Sequence, residues 1–487
     1  MTSQGRRLLF NSLALIISVV VIIAIVLLVN TYQLKSVQID TSQAGKGNQV
    51  SPSADVIQRL SQAIQFKTVT GQFEPTQFQD FLRRQFPRIH EQLNVQYIGE
   101  GGILIHWPAP DSNLLPVLML AHYDVVPAAH DGWQHSPFSG HVDANYIWGR
   151  GTIDDKSSLM AMLEAMTYLL QEGVKPQRDL YLAFGHDEET GGELGAAKIA
   201  DYLVKQQLQF EYILDEGLVI AQDILRFVDK PVALIGVAEK GYANIELTLL
   251  GEGGHASMPG GRTLVGQLAA ALTRLENQPM PSRLTPPIER MLQTLAPESK
   301  FTNRVIFSNL WLFRSTVVNR FRRSAATHAA VTDTFAPTRL FASDKVNVLP
   351  HQVRAQINVR LLPGTSSQQL IDYINKAIHD SQIKVTLLQV VEASPVSSAG
   401  THGYRAISTA IRTTFGDVLV APGLVIPATD SRHYAPLSNA TYRFMPIRVS
   451  RADLNRIHGQ NERLGIVQYS DMIGFYTRLM QHTLQGQ

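Results

Sequence analysis

The feature that most constrains this chain is a run of apolar residues near its N-terminus. Residues 13–29 read LALIISVVVIIAIVLLV, in which Ser18 is the only polar residue. As a helix, a segment of this length and composition can cross the hydrocarbon core of a bilayer, which is about 30 Å thick. The sequence therefore predicts a transmembrane anchor over residues 8–29, followed by a body that folds in water.

The charges beside this run predict its orientation. Arg6 and Arg7 precede it, whereas its far flank is uncharged. Because basic residues stay on the cytoplasmic side, we expect residues 1–7 in the cytoplasm and the body outside it, in a periplasmic, vacuolar, lumenal or extracellular space. A cleaved signal peptide and a buried core helix are the alternatives. Residues 30–52, rich in Gln, Ser, Gly and Lys, are expected to form a linker that lifts the body off the membrane.

The composition of the 487-residue chain excludes several functions. Lys and Arg number 43 and Asp and Glu 41, so the formal net charge is +2. The chain therefore lacks the excess of positive charge that is typical of nucleic-acid-binding proteins. Cysteine is absent, which excludes disulfides, thiolate metal sites, iron–sulfur clusters and a cysteine nucleophile. A metal bound by this chain must therefore be held by His, Asp and Glu.

The pattern that follows the linker predicts an α/β domain. Apolar runs with strand character, at residues 117–120, 180–185 and 212–214, alternate with helical patterns at residues 157–170 and 196–205. Such alternation is typical of a largely parallel sheet that is covered by helices. The same pattern resumes near residue 396. We therefore expect one main domain, built from residues 53–239 and 394–487.

The segment between these two parts, residues 240–393, has a different pattern. Alternating strands are predicted at residues 244–250, 353–361 and 385–391, and amphipathic helices at residues 263–275 and 367–379. This order fits an inserted α+β lid with a ferredoxin-like arrangement, in which two helices cover one face of a small antiparallel sheet. Residues 280–345 are expected to be irregular, with Arg320, Arg322 and Arg323 on a solvated surface.

Acidic and histidine residues cluster where the predicted strands end. The candidates are His122, Asp124, Asp154, Asp155, His186, Asp187, Glu188, Glu189, Asp215 and Glu216, with His458 near the C-terminus. Singly, such residues are ordinary helix caps or solvated side chains. Together they lie where open α/β sheets place their sites, and they suit two divalent ions that share a bridging carboxylate. Imidazole and carboxylate ligands without thiolate fit zinc, and manganese or cobalt as well.

The order of these motifs resembles that of a known family. HYDVVP, GRGTIDDKSS, GHDEETGG, LDEG, GGHASMPG, NVLP, ATDSRHY and IHGQNE follow one another along the chain. This set is similar to that of the aminoacylase and carboxypeptidase S family of di-zinc metallopeptidases. Within it, the sequence most resembles the membrane-anchored or secreted carboxypeptidase S branch, which includes N-fatty-acyl-amino-acid hydrolases.

The resemblance implies a role for each motif residue. Asp154 would bridge two zinc ions, one completed by His122 and Asp215 and the other by Glu189 and His458. Asp124 would orient His122, and Glu188 would be the general base on a zinc-bridging water. His255 would support the oxyanion, whereas four residues would lie around the substrate's C-terminal carboxylate: Asn347, Arg360, Ser431 and Arg432. The resemblance also implies a cis peptide bond between Asp154 and Asp155.

These assignments predict a zinc-dependent carboxypeptidase that acts on short peptides. An arginine that binds a carboxylate in a bidentate manner would select a free C-terminus. Two alternatives stay open: an amidohydrolase of N-acyl amino acids, fatty-acyl ones included, and a catalytically silent surface binding protein on the same fold. A homodimer formed through the lid, in which His255 serves a partner's site, is also left open, and no nucleic-acid partner is expected.

Overall fold

The computed structural model describes residues 3–40, 52–129 and 131–486. Within these ranges the α-helices are α1 Ser3–Gln33, α2 Ala54–Gln65, α3 Pro75–Gln85, α4 Pro87–Gln92, α5 Lys156–Gln171, α6 Ala196–Lys205, α7 Leu264–Asn277, α8 Pro286–Leu295, α9 Phe301–Ser308, α10 Leu310–Phe321, α11 Ala325–Val331, α12 Ser367–Ile378, α13 His402–Phe415 and α14 Ile466–Leu484. The strands are β1 Asn94–Ile98, β2 Gly102–Trp107, β3 Val117–His122, β4 Tyr146–Trp148, β5 Leu180–Gly185, β6 Tyr212–Ala221, β7 Val232–Glu239, β8 Gly241–Leu250, β9 Gly254–His255, β10 Thr334–Phe341, β11 Val348–Leu349, β12 Gln352–Leu361, β13 Lys384–Val391, β14 Leu419–Val425, β15 Thr441–Val449 and β16 Arg463–Gly465.

An eight-stranded mixed sheet forms the main domain, in the order β1-β2-β5-β3-β6-β15-β7-β14. Parallel pairing joins β5, β3, β6 and β15, and antiparallel pairing adds β2 and β1 at one edge. The β3 and β5 strands are buried along their whole length because helices cover the two faces of the sheet, with α5 and α14 on one and α6 on the other. The predicted α/β architecture is confirmed.

A second, four-stranded antiparallel sheet has the order β10-β12-β8-β13. Buried and half-buried residues alternate along β8 and β12, so one face of this sheet is covered. The helices α7 and α12 pack on that face. This is the predicted ferredoxin-like lid, and its first strand begins at Gly241, two residues after β7 ends at Glu239.

The expectation that residues 280–345 are irregular is wrong. Four helices, α8 to α11, occupy most of this segment. In α8, Ile288, Met291, Leu292 and Leu295 recur at helical spacing and are buried in a cluster that includes Leu419 of β14. These helices therefore pack on the main domain, although their sequence lies between two parts of the lid.

The α1 helix contains the predicted anchor and is long and apolar enough to cross a membrane from Phe10 to Gln33. The described part of the linker after it does not extend away from the body. Gln38 forms hydrogen bonds with the backbone N and O of Val420 in β14, and Arg412 Nε donates to Ile39 O at 3.1 Å. Gln38 and Ile39 of the predicted linker are thus held on the main domain, and residues 41–51 lie outside the described residues.

Candidate metal centre

The candidate ligands come from loops at one edge of the large sheet. His122 ends β3, Asp154 lies just before α5, and Glu188 and Glu189 form a short turn after β5. His458 comes from the loop that precedes β16. Because β3, β5 and β6 are parallel, their C-terminal ends meet at the same edge, which is why residues far apart in sequence converge there.

Asp154 lies at the centre of the cluster. Its Oδ1 is 3.0 Å from His122 Nε2, and its Oδ2 is 3.0 Å from His458 Nε2. One carboxylate therefore faces two imidazoles from opposite sides, as expected of a residue that bridges two metal ions. The peptide bond between Asp154 and Asp155 is cis, as the resemblance implied.

Two groups of donor atoms lie on either side of Asp154. On one side, Glu189 Oε1 is 3.2 Å from His458 Nε2, and Asp154, Glu189 and His458 are close enough together to hold a metal ion. On the other side, Glu216 Oε1 is 3.8 Å from His122 Nε2, and these two residues form a second such group with Asp155. The structure thus places donors for two ions next to each other.

Glu216, not Asp215, occupies the position that the sequence interpretation gave to Asp215. The Asp215 carboxylate turns away from His122 and accepts hydrogen bonds from Ser431 N, at 2.7 Å, and from Glu216 N, at 2.9 Å. The side chains of neighbouring residues in a strand point to opposite sides, so only one of the two adjacent acids can face the cluster. We therefore correct the expected ligand to Glu216 and regard Asp215 as its support.

Asp124 holds three parts of the cluster together. Its Oδ1 is 3.2 Å from His122 Nδ1, so it can fix the orientation of that imidazole, as the resemblance implied. The same carboxylate accepts hydrogen bonds from the backbone N atoms of Glu188 and Glu189, each at 3.1 Å. The Asp124 side chain therefore positions the His122 imidazole and the backbone of Glu188 and Glu189.

Sequence reasoning missed a second support, Glu462. This fully buried carboxylate accepts hydrogen bonds from Gly151 N at 3.0 Å and Ile153 N at 2.8 Å, and Arg150 donates to it from the side. It therefore fixes the loop that presents Asp154. The quoted IHGQNE motif contained Glu462, but nothing in the local pattern connects it to residues more than 300 positions earlier.

Ser431 belongs to a buried network and not to the substrate surface. Its side chain is 0% exposed, and its Oγ accepts a hydrogen bond from Arg443 Nε at 2.9 Å. Arg443 in turn pairs with Glu239, which also accepts hydrogen bonds from the backbone N and the Oγ1 of Thr429. The expectation that Ser431 contacts the substrate is therefore corrected, because this network turns it into the protein interior. The sequence carried no signal for Glu239 or Arg443.

Negative charge exceeds positive charge in the cluster. Burial, with the negative charges of Asp430 and Asp154, raises the pKa of Glu188 well above its ordinary value. Burial and the neighbouring acids Asp154 and Asp155 likewise raise the pKa of Glu216. Hydrogen bonds to Asp154 and Glu189 raise the pKa of His458 to about 10. Divalent cations would relieve this excess, and the imidazole and carboxylate donors fit zinc, manganese or cobalt.

A cavity of about 770 Å³ opens onto the cluster. It is lined by Asp154, Glu188, Glu189, Glu216 and His458 of the cluster, and also by Arg360, Tyr242 and Gln389 of the lid sheet. Arg360 lies over the Tyr242 ring at 5.1 Å, and Arg432 lines the same cavity and donates to Gly191 O. Much of the remaining wall is apolar, including Leu218, Val219, Val425, Met445 and Ile457.

His255 and Asn347 lie elsewhere on the lid. They meet on the exposed two-stranded ladder of β9 and β11, where His255 pairs with Val348 and Ala256 N donates to Asn347 O at 3.0 Å. Among the described residues that line the cavity, neither is present. His255 Nδ1 is instead 2.7 Å from Ser257 Oγ. Such a separation is what we expect of an open lid, so the predicted oxyanion role remains a prediction.

Comparison with known proteins identifies the family of this chain. Residues 118–482 match the model of peptidase family M20/M25/M40. A probable carboxypeptidase S-like protein of Dictyostelium discoideum is 37% identical over 99% of this chain and 96% of its own length. An N-fatty-acyl-amino acid synthase/hydrolase of Xenopus tropicalis is 35% identical over 96% and 94%, and carboxypeptidase S of Saccharomyces cerevisiae is 28% identical over 86% and 82%.

Solved structures with low sequence identity share the fold. A metallo-carboxypeptidase of Sulfolobus solfataricus superposes with a TM-score of 0.62 at 17% identity and covers 88% of this chain and 99% of its own. A dinuclear metal-binding peptidase of Bacillus subtilis superposes with a TM-score of 0.55 at 12% identity, covering 89% and 99%. The two-domain architecture described above is therefore that of known metallopeptidases.

Proposed function

This chain belongs to peptidase family M20/M25/M40, and we propose that it hydrolyses the amide bond that precedes a free C-terminal amino acid in short peptides. The observation that carries the proposal is the shared position of Asp154 between His122 and His458, in a cavity that Arg360 of the lid also lines. The family resemblance read from the motifs is confirmed, and with it the prediction of a hydrolytic enzyme.

We propose that two zinc ions are the cofactor. Asp154 would bridge them, with His122 and Glu216 on one ion and Glu189 and His458 on the other, and manganese or cobalt fits the same donors. When bound, two such ions polarise an amide carbonyl and lower the pKa of a bound water. The binding of the ions would also displace the proton that the acidic surroundings hold on His458.

Glu188 is the residue placed to move the proton. It lines the cavity next to Asp154, and its backbone N is fixed by Asp124, yet it belongs to neither group of metal donors. The Glu188 carboxylate would take a proton from the attacking water and deliver it to the leaving amine. A catalytically silent binding protein has no need of such a carboxylate at this place.

Arg360 is the residue placed to recognise the free carboxylate. It reaches the cavity from the lid strand β12, and Arg432 of the main domain lines the same cavity. A guanidinium can bind a carboxylate through two parallel hydrogen bonds. The test compares kcat/KM for a short peptide that has a free C-terminal carboxylate with kcat/KM for the same peptide as its C-terminal amide. We expect the wild type to discriminate strongly in kcat/KM and Arg360→Gln to lose most of that discrimination. Equal turnover of acid and amide by the wild type would contradict this role.

A second candidate is the hydrolysis of N-acyl amino acids. The apolar wall formed by Leu218, Val219, Val425 and Met445 suits a hydrocarbon group better than a polar peptide, and the relative from Xenopus is named for N-fatty-acyl amino acids. The two reactions would use the same metal ions and the same recognition of the free carboxylate by Arg360. Values of kcat/KM for dipeptides and for N-oleoyl amino acids, measured on one preparation with its metal content, decide between them. No turnover of either class with two metals bound would contradict hydrolysis itself.

We also propose that the chain is a single-pass membrane protein. Its α1 helix would be an uncleaved anchor with the N-terminus in the cytoplasm and the catalytic body in an extracytoplasmic space. Apolar side chains exposed on the lid around β9 and β11, among them Met258, Val346 and Val348, support a homodimer through this surface. In such a dimer, His255 and Asn347 would complete either their own site or the partner's.

A further inference from the structure

The end of the α1 helix is attached to the body at one place, the junction of α9 and α10. Asn309 Nδ2 donates to Leu27 O at 3.1 Å, and Asn30 Nδ2 donates to Asn309 Oδ1 at 2.9 Å. Arg304 Nε adds a hydrogen bond to Thr31 O at 3.2 Å. These contacts connect the body to the last turns of the apolar helix itself, and a second bond from Arg304, to Leu34 O at 3.4 Å, continues just beyond it.

The attachment point lies at the boundary of the apolar run. Leu27 is two residues before Val29, where the run ends, which corresponds to about 3 Å along a helix. If α1 crosses a bilayer, Asn309 therefore lies at the depth where hydrocarbon meets headgroups. Gln38 and Ile39, bound to the main domain, prevent the body from moving away from this level.

Large apolar side chains are exposed beside this point. Trp311 is 60% exposed, Leu312 45% and Phe301 56%, and we call these three residues the α9–α10 patch. Further along α10, Val317 and Val318 are buried against the main domain, so the helix packs on the body while Trp311 and Leu312 stay exposed in its first turn. Trp311 Nε1 donates to Asn309 Oδ1 at 3.2 Å, the same oxygen that accepts from Asn30. The indole ring is thus linked to α1 through Asn309.

We propose that the α9–α10 patch inserts into the interfacial layer of the bilayer that α1 spans. Tryptophan favours this layer because its ring is apolar and its N–H is polar, and the neighbouring leucine and phenylalanine add apolar area. The body would therefore lie on the membrane surface in one fixed orientation. This inference depends on the proposed membrane anchor, and the experiment separates the two.

Tryptophan fluorescence tests the insertion directly. The chain has four tryptophans, of which Trp107 and Trp148 are buried and Trp133 is half-buried, and residues 1–33 contain none. The full chain is reconstituted into phosphatidylcholine vesicles whose acyl chains are brominated near the headgroup end, and emission is compared with unbrominated vesicles. We expect clear quenching in the wild type and its loss in Trp311→Phe. Unchanged quenching in Trp311→Phe, or none in the wild type, would overturn the proposal.

A matched pair of variants checks that the neighbouring apolar contact matters. Leu312→Asp should weaken the quenching of Trp311, because a carboxylate opposes insertion, whereas Leu115→Asp should leave it unchanged. Leu115 is the control because it is also an exposed leucine, at 54%, and lies on the loop between β2 and β3. Equal effects of the two substitutions would count against the patch.

Alkaline extraction of the same vesicles tests the anchor separately. Release of the wild type at high pH would reject the membrane-spanning helix and the docking surface together. Resistance to extraction without quenching of Trp311 would leave the anchor in place and reject the docking surface alone. Neither result depends on hydrolytic activity, so the proposed reaction is not tested by these measurements.

Discussion

The main-domain wall of the cavity and the β9–β11 ladder of the lid hold the predicted site residues in opposite ways. Asp154 and Glu189 each place an oxygen about 3 Å from His458 Nε2, and buried carboxylates such as Glu462 support this group. His255 and Asn347, by contrast, are exposed on a ladder of two residues per strand. The first region is preorganised by the fold, whereas the second is held by few contacts.

This difference separates two requirements of the proposed reaction. Metal ligands must be fixed before the ions bind, so the chain supports them with a buried polar network. An oxyanion donor must arrive when substrate is enclosed and water is excluded, so it can be carried by a mobile lid or a second subunit. The following predictions test this division, starting with the largest expected effect.

Substitution of the bridging residue should have the largest effect. Asp154→Ala removes a donor that faces His122 and His458 together, so we expect loss of the two metal ions and no detectable turnover. Metal analysis after dialysis checks this, with the exposed α6 residue in Asp201→Ala as a control that keeps both ions. Retention of two tightly bound ions in Asp154→Ala would refute the bridging role.

Substitution of the candidate base should reduce turnover without removing metal. Glu188→Gln should lower kcat by roughly 10² to 10⁴, since general-base catalysis contributes that much, with two ions still bound. Glu193 lines the same cavity and belongs to neither group of metal donors, so Glu193→Gln is the matched control and should have nearly wild-type kcat. A Glu188 variant that loses an ion would be a ligand instead.

Substitution on the lid should test whether the ladder joins the site. His255→Ala should lower kcat by roughly 10² to 10³ with metal content unchanged, as removal of an oxyanion donor does. The control His379→Asn changes another exposed lid histidine and should be neutral. Wild-type kcat in His255→Ala would leave the ladder without a catalytic role.

Mixing inactive chains then shows which subunit supplies His255. If the donor comes from a partner, a mixed dimer of a His255→Ala chain and a Glu188→Gln chain contains one complete site. That site combines Glu188 of the first chain with His255 of the second, so activity reappears. If each chain uses its own His255, the mixture stays at the level of the separate variants.

The smallest effect is expected for the support behind one ligand. Asp215→Asn keeps the size of the side chain but weakens its hold on Glu216 and Ser431, so metal affinity should fall about 10- to 100-fold and activity should recover at saturating metal. Glu216→Gln should not recover in this way, because the ligand itself is lost. Metal titrations of the two variants compare their metal affinities and their recovery of activity. Recovery of Glu216→Gln but not of Asp215→Asn at saturating metal would identify Asp215 as the ligand.

Much of the fold was accessible from the sequence because its signals are local. The strand at residues 180–185 and the helix at residues 196–205 have the predicted bounds, since apolar periodicity is set by nearby residues. The helical spacing of Ile288, Met291 and Leu292 was present as well, but a polar, proline-containing context obscured it. For the site, residue types at strand ends predicted which elements contribute, and the family motifs supplied their roles.

The sequence by itself determined the apolar N-terminal helix, the two kinds of domain and the chemical type of the metal donors, because composition and periodicity follow directly from residue order. Only the tertiary structure decided that Glu216 and not Asp215 faces His122, because that depends on which side of a strand meets the cluster. It also turned Ser431 inward and attached α1 to Asn309, since such contacts join residues more than 200 positions apart. Long-range packing, which no local pattern encodes, sets these positions.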